Sequence, residues 1–339
     1  MKNSRALWWG AGALAAGAGM AMMRRPERMS LAGKVVLITG GSRGLGLAMA
    51  RRFAGEGARL ALCARGGEGL EAARASLAGM GAEVFTIPCD VADPEQVRFM
   101  VADTLREYGR IDVLVNNAGI IHVGPIHEMT LEDFETAMEV MFWGHVYTTM
   151  TVLPHMRERR SGRIVNITSI GGKVSVPHLL PYSCAKFAAA AFSEGMRAEL
   201  AHTGVKVVTI APGLMRTGSY LNALFKGDAE GEAKWFSAGA SLPGISMSAT
   251  RAAKQIVDAT ALGSSQRILS LPANLLALFH GVFPGTAADL MGFANRMLPR
   301  GGGQVETGAQ SPALDRAIMR AVTTLGRKAA VEYLQPAAK

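Results

Sequence analysis

From Gly33 to about Leu262 the chain alternates short apolar runs with amphipathic stretches, and this alternation restricts the fold more than any other feature. The apolar runs are Val35–Ile38, Arg59–Cys63, Val84–Ile87, Val113–Val115, Ile164–Ile167 and Val205–Ile210. Between them lie helical patterns at 44–55, 68–79, 94–108, 131–158 and 181–203. A strand that is apolar throughout must be covered on both faces, and strands separated by helices pair in parallel. The pattern predicts an α/β domain with a doubly wound parallel sheet and right-handed crossovers.

Composition narrows the partners. With 339 residues there is ample chain for a buried core, and a net charge of +9 raises the question of nucleic acid. The basic residues are scattered, however, and no Lys/Arg run is interleaved with aromatics as a strand-binding groove requires, so no nucleic-acid partner is expected. Local clusters occur at Arg24, Arg25 and Arg28 and at Arg157, Arg159, Arg160 and Arg163, which suit anionic lipid or a phosphate-bearing cofactor. Cys63, Cys89 and Cys184 are odd in number and far apart in sequence, which matches neither a disulfide framework nor a metal cluster. They read as small core residues, and no metal site is expected.

Two motifs carry chemistry. Thr39-Gly40-Gly41-Ser42-Arg43-Gly44-Leu45-Gly46 follows the first apolar run and opens a helical pattern. Its glycines permit a tight turn and let backbone N–H groups approach a pyrophosphate at a helix N-terminus, where the dipole favours anions. Further along, Tyr182 and Lys186 stand one helical turn apart, with Ser169 thirteen residues upstream of the tyrosine. A neighbouring ammonium is expected to pull the phenol pKa down from about 10 toward the range where acid–base catalysis is efficient. Ser169 would then hydrogen-bond the substrate oxygen. The spacing of the tyrosine and lysine alone is weak evidence; its neighbours carry the case.

Taken together, Thr39–Gly46, Asn116-Asn117-Ala118-Gly119, the Ser169/Tyr182/Lys186 set, and Pro212-Gly213 with Thr217 occur in the order and spacing of the short-chain dehydrogenase/reductase family, which residues 32–262 resemble. The resemblance implies a Rossmann-type fold and hydride transfer between a nicotinamide and an alcohol or carbonyl carbon, with Ser169, Tyr182 and Lys186 catalytic. It implies cofactor contacts from Thr39, Gly40, Ser42, Arg43, Gly44, Leu45 and Gly46. Asp90, with Val91, would meet the adenine, and Asn117, with Ala118 and Gly119, the region near it and the ribose. Tyr182 and Lys186 would also hold the nicotinamide ribose, and Pro212, Gly213, Leu214 and Thr217 the nicotinamide end. Relatives are commonly dimers or tetramers, so a homo-oligomer is expected.

Cofactor choice follows from charge. Preference for NAD usually needs an acidic residue at the end of the second strand. This chain has Ala64 there, followed by Arg65, with Arg43 inside the glycine loop. Two guanidinium groups suit a 2′-phosphate, so NADP(H) is the expected cofactor. One departure stands out: many family members carry an asparagine in the helix before the catalytic strand, where it helps hold a proton-relay water, and this chain has Met141. His145 lies one turn on. The relay is either rebuilt from other groups or impaired; in the second case the chain reads as a regulatory or scaffold protein with weak catalysis.

The termini read differently. Residues 6–23 are an uncharged stretch of 18 flanked by basic residues, just long enough to span a bilayer but rich in Ala and Gly. An uncleaved anchor or membrane-surface segment is expected for residues 1–28, with a signal peptide and a merely apolar tail as rivals; the heavier positive flank after Met23 would keep the catalytic part on the cytoplasmic side. The alternative is a soluble cytoplasmic protein. Past 262 the expectation is a helical extension, 263–339. Two short apolar helices joined by a Pro-Gly turn fall within 268–299. Gly301–Gly303 reads as a linker, and a polar helix follows over 311–334. Apolar residues at Tyr220, Leu221, Leu224, Phe225, Trp235 and Phe236 suggest a hydrophobic small-molecule substrate or, equally, core.

Overall fold

The computed structural model describes residues 28–335; the apolar stretch 6–23 lies outside the described residues. Seven strands form the central sheet: β1 (Val35–Thr39), β2 (Arg59–Ala64), β3 (Val84–Pro88), β4 (Val113–Asn116), β5 (Gly162–Ile167), β6 (Val205–Pro212) and β7 (Gln266–Leu269). They run in the order β7-β6-β5-β4-β1-β2-β3, parallel throughout. The helices are α1 (Gly44–Ala54), α2 (Gly67–Ala78), α3 (Pro94–Tyr108), α4 (Leu131–Met138), α5 (Gly144–Glu158), α6 (Leu180–Glu199), α7 (Ala229–Ser241), α8 (Ala249–Leu262), α9 (Leu271–Val282), α10 (Pro284–Asn295), α11 (Ala317–Val322) and α12 (Thr324–Glu332).

The apolar strands behave as their composition requires. In β1, Val36 and Ile38 join one core layer with Leu47 and Phe53 of α1 and Ile256 of α8. Val35 and Leu37 point the other way, into a layer with Val97 and Met100 of α3 and Val152 of α5. Burying each such side chain contributes about 1.5–3 kcal/mol. Local signals agree with the packing. The Asp93 carboxylate accepts from the N–H groups of Glu95 and Gln96 at 2.8 and 3.2 Å, Pro94 opens α3, and Gly109 closes it at φ 71°.

The strand order reverses between β1 and β4, and the crevice at their C-terminal ends is where doubly wound sheets bind ligands. Three sequence readings change. The pattern 131–158 is not one helix: a π-helical turn, Glu139–Trp143, separates α4 from α5 and carries Val140 and Met141 into the core. Such turns are rare and often sit at functional sites. The boundary at 262 is also too early, because β7 is the edge strand of the main sheet. Finally, the segment after Gly303 is no separate appendage. Gln304–Thr307 pairs antiparallel with Leu224–Gly227, which pairs in turn with His122–Val123, and the expected 311–334 helix is a 3-10 turn at Pro312–Asp315 followed by α11 and α12. The two apolar helices form as read, but they meet at Phe283, and Pro284-Gly285 opens the second helix instead of joining the two as a turn. Among the described residues no helix is long and apolar enough to cross a membrane.

Cys63 and Cys89 are buried as read, but the fold brings them together, and Cys184 is exposed rather than buried. The hydrogen bond to Cys89, together with burial, pushes the Cys63 thiol well up. Among the described residues no group of His, Cys, Asp and Glu has the arrangement of a metal site.

Candidate active site

Ser169 leaves the end of β5 and caps a single 3-10 turn, Ile170–Gly172, its hydroxyl oxygen accepting from the Gly171 N–H at 3.0 Å. Tyr182 and Lys186 follow on the first turns of α6, so one strand end and one helix start supply all three groups. A methyl group at Gly171 would lie 3.2 Å from Tyr182 Cε1 and 3.4 Å from Ser169 Oγ. Glycine therefore leaves the space in which the phenol reaches the serine hydroxyl.

The electrostatics differ from the expectation. Burial pushes the Tyr182 phenol up, and the hydrogen bond to the Ser169 hydroxyl opposes this only in part. Burial brings Lys186 down to about 8, and its ammonium donates to the Ile167 carbonyl at 2.8 Å. Lys186 Nζ lies 5.8 Å from the centre of the Tyr182 ring. The expected lowering of the phenol by Lys186 is therefore not what this arrangement produces, because the same desolvation disfavours both charged forms.

Met141 is fully buried, and a methyl group at Gly119 would lie 3.5 Å from its sulfur, so it packs beneath the Asn-Asn-Ala-Gly turn. His145, one turn on, is buried with neither ring nitrogen hydrogen-bonded among the described residues. Burial and then the Lys186 charge hold its imidazole well below the usual range, so the ring is neutral at neutral pH.

The glycine loop adopts the strand–turn–helix form. Gly40 and Gly44 sit at φ 63° and 57°, backbone that side-chain-bearing residues rarely adopt, and a Cβ at Gly46 would overlap the Gly40 carbonyl oxygen. Thr39 and Asn117 hold this loop to the turn after β4. The Thr39 hydroxyl accepts from the N–H groups of Asn117 and Ala118 at 2.9 and 3.0 Å, and Asn117 Nδ2 donates to the carbonyls of Thr39 and Gly40 at 2.9 and 3.2 Å. Their polar atoms thus shape the cradle from within. Asp90 lies just beyond β3, its carboxylate accepting from the Ala92 N–H at 3.0 Å, while Val91 is buried against α5. Ser42 is buried and Leu45 half-buried in the first turn of α1. On the opposite rim, Pro212 ends β6, the Leu214 carbonyl accepts from Met247 N–H at 2.9 Å, and Thr217 is buried.

These residues fit a dinucleotide phosphate. Arg43 and Arg65 are exposed at the ends of the glycine loop and β2, and among the described residues neither pairs with a carboxylate. Partial desolvation of the Arg43 guanidinium against the loop, and then the Arg65 charge nearby, lower the Arg43 pKa.

Sequence reading missed two polar constructions. His178 Nδ1 and Glu232 Oε1 are 2.6 Å apart and buried, and Glu232 Oε2 accepts from Trp235 Nε1 at 2.6 Å, tying the loop before α6 to α7. Nothing in the sequence links positions 54 residues apart. The second is a buried chain running Thr148, Asn116, Asn166, Ser193 and Thr209, with contacts of 2.6 to 2.9 Å, which fixes β4, β5, β6, α5 and α6 against one another. Asn116 at the end of one apolar strand and Asn166 next to the end of another were its visible signal.

The comparisons agree with this geometry. The family model described as short chain dehydrogenase matches residues 34–223. The mouse (Mus musculus) dehydrogenase/reductase SDR family member 7B is 37% identical over 207 residues, 60% of this chain and 64% of that protein, so the chain spans a little under two thirds of this relative's length. A solved short-chain dehydrogenase from Streptomyces avermitilis superposes with a TM-score of 0.66 at 33% identity, covering 79% of this chain and 98% of the other. A variant of actinorhodin polyketide ketoreductase, solved with NADPH, superposes at 0.62 with 33% identity, covering 72% and 97%. With its sheet order, glycine loop and Ser169/Tyr182/Lys186 arrangement, the chain belongs to the short-chain dehydrogenase/reductase family.

Proposed function

We propose that this protein is an NADP(H)-dependent oxidoreductase that interconverts a hydrophobic alcohol and its ketone or aldehyde. The observation that carries the reading is the convergence of Ser169, Tyr182 and Lys186 at the C-terminal end of β5, in a fold whose glycine loop and β2 end present Arg43 and Arg65. The bound cofactor supplies or accepts a hydride at the carbon. Ser169 Oγ orients the substrate oxygen, and Tyr182 Oη gives it a proton in reduction or takes one in oxidation. Lys186, held by Ile167, has its ammonium over the Tyr182 ring and would hold the nicotinamide ribose. The two arginines favour a cofactor with a 2′-phosphate, and the NADPH in the ketoreductase relative is consistent with that choice.

An apolar substrate is favoured by the surroundings of the phenol. Tyr182 packs against a cluster built from Leu179, Tyr220, Phe225 and Phe236, with Leu221 and Trp235 half-buried at its edge. Tyr220, Phe225 and Phe236 are themselves core, so the substrate surface is narrower than the six apolar residues suggested. A membrane location is part of the proposal. On the α9–α10 hairpin Leu271, Leu275, Leu278, Val282, Phe283 and Phe293 are each more than half exposed, an apolar face suited to a lipid surface alongside residues 6–23. We place the catalytic part on the cytoplasmic side and expect a homo-oligomer. Met141 favours a second reading, a cofactor-binding regulatory protein with weak catalysis.

The test is NADPH consumption with a panel of hydrophobic ketones and aldehydes, alongside flotation of the full chain with anionic vesicles. Turnover with NADPH supports the first reading; tight NADPH binding without turnover supports the second. Absence from the vesicle fraction would sink the membrane placement.

A further inference from the structure

The last described residues fold back over the glycine loop. The N–H of Gly44, the first residue of α1, donates to the carbonyl of Tyr333 at 2.9 Å. Gln335 lies against the same glycine, its Nε2 2.7 Å from where a methyl group on Gly44 would be. The Gln335 amide then reaches across the crevice: Nε2 donates to the Thr217 carbonyl at 3.2 Å, and Oε1 accepts from Asn222 Nδ2 at 2.5 Å. The segment therefore spans from the phosphate-binding turn to Thr217 and Asn222, beyond the end of β6 on the opposite rim.

Behind it the anchorage is extensive. The Tyr333 ring is buried with Arg51 stacked 5.4 Å from its centre, and its hydroxyl lies 2.8 Å from Thr250 Oγ1. Ala330 packs so closely on Gly218 that a methyl group there would lie 2.6 Å from its Cα. At the tip, by contrast, Leu334 holds φ at 52°, a left-handed backbone that non-glycine residues adopt only at a cost. The arrangement is a well-held base with a strained end.

A backbone N–H in the first turn of a helix is the group such a fold offers to an anionic phosphate oxygen. A carbonyl oxygen and a phosphate oxygen are both acceptors, so they compete for it. Tyr333, Leu334 and Gln335 carry no cationic group that would reward a phosphate for sharing the space. We propose that Tyr333–Gln335 is an internal strap that occupies the phosphate end of the cofactor crevice, and that the dinucleotide binds by lifting it. This rests on the reading of the glycine loop as a dinucleotide site. Only the strap-open fraction binds, so the apparent affinity is reduced by that fraction and loosening the strap restores it.

Hydrogen exchange of the full chain with and without saturating NADPH tests this directly. Lifting predicts faster exchange of 330–335 on NADPH addition while residues 40–47 become protected. Protection of both segments would make the tail a lid that clamps the cofactor and would overturn the proposal, as would no change at 330–335. Titration of NADPH into Gln335→Ala, and into a chain ending at Glu332, supplies the second readout. The expected result is a Kd about tenfold lower than wild type, corresponding to a strap closed about nine-tenths of the time. An unchanged or higher Kd in folded variants contradicts the strap. No NADPH binding to any form, wild type included, would instead remove the dinucleotide reading and the strap with it.

Discussion

The ammonium of Lys186 stands 5.8 Å from the centre of the Tyr182 ring, yet its hydrogen bond goes to the Ile167 carbonyl, 2.8 Å away. The phenol and the ammonium to which the proposed mechanism assigns proton transfer are therefore held in one desolvated pocket, each biased toward its neutral form.

That bias has a thermodynamic signature. Lys186 is brought down to about 8 from an ordinary 10.5, so between those values the unfolded chain binds more protons than the folded one. This group's contribution to stability therefore rises with pH across that window, by about 3 kcal/mol at most. Tyr182, shifted upward, acts in the opposite sense only above pH 10. Denaturant unfolding of wild type and Lys186→Met at pH 7.5 and 9.5 checks it: wild type should gain on the variant as pH rises. A constant difference would mean that the lysine is not desolvated in the folded chain.

Arg43→Ala and Arg65→Ala should each raise the KM for NADPH about 10- to 100-fold, the loss expected for a charge-assisted hydrogen bond, and leave NADH nearly untouched. Equal effects on both cofactors would refute a 2′-phosphate role.

Much of this site could be read before the fold was known, and the reasons are local. The glycine loop declares itself because Gly40 and Gly44 need positive φ, and Tyr182 and Lys186 because helical periodicity alone puts them on one face. The strands of the sheet were legible because burial on both faces leaves no polar alternation. What escaped depends on long-range packing. The π turn that buries Met141 leaves the helical period almost intact, the His178–Glu232 pair joins segments with no sequence relation, and the tail reaches Gly44 through backbone carbonyls that any residue carries. The direction of the Tyr182 shift also escaped, since spacing gives proximity to a charge but not the desolvation both groups share.

Met141→Asn tests the proton route. If the relay is impaired in the wild type, the substitution should raise kcat, by up to the roughly 10²- to 10⁴-fold of general acid–base assistance, with KM for NADPH unchanged. No gain would indicate that other groups already serve the relay, neutral His145, which feels the Lys186 charge, among them; His145→Phe should then lower kcat.

Glu232→Ala removes the partner of both His178 and the Trp235 indole in a buried site. Leaving these buried polar groups unpaired should cost about 1–3 kcal/mol of unfolding free energy each. A loss below about 1 kcal/mol, the range of exposed pairs, would mean that the pair does not hold α7 to the loop before α6.

The central claim is that Tyr182 is the group that moves the proton to and from the substrate oxygen. Tyr182→Phe keeps the ring and its packing and removes only the hydroxyl. With a hydrophobic ketone that wild type reduces, NADPH oxidation by the variant should fall by about 10²- to 10⁴-fold while NADPH still binds. Turnover that survives the loss of the phenol, with the cofactor bound, would contradict the account.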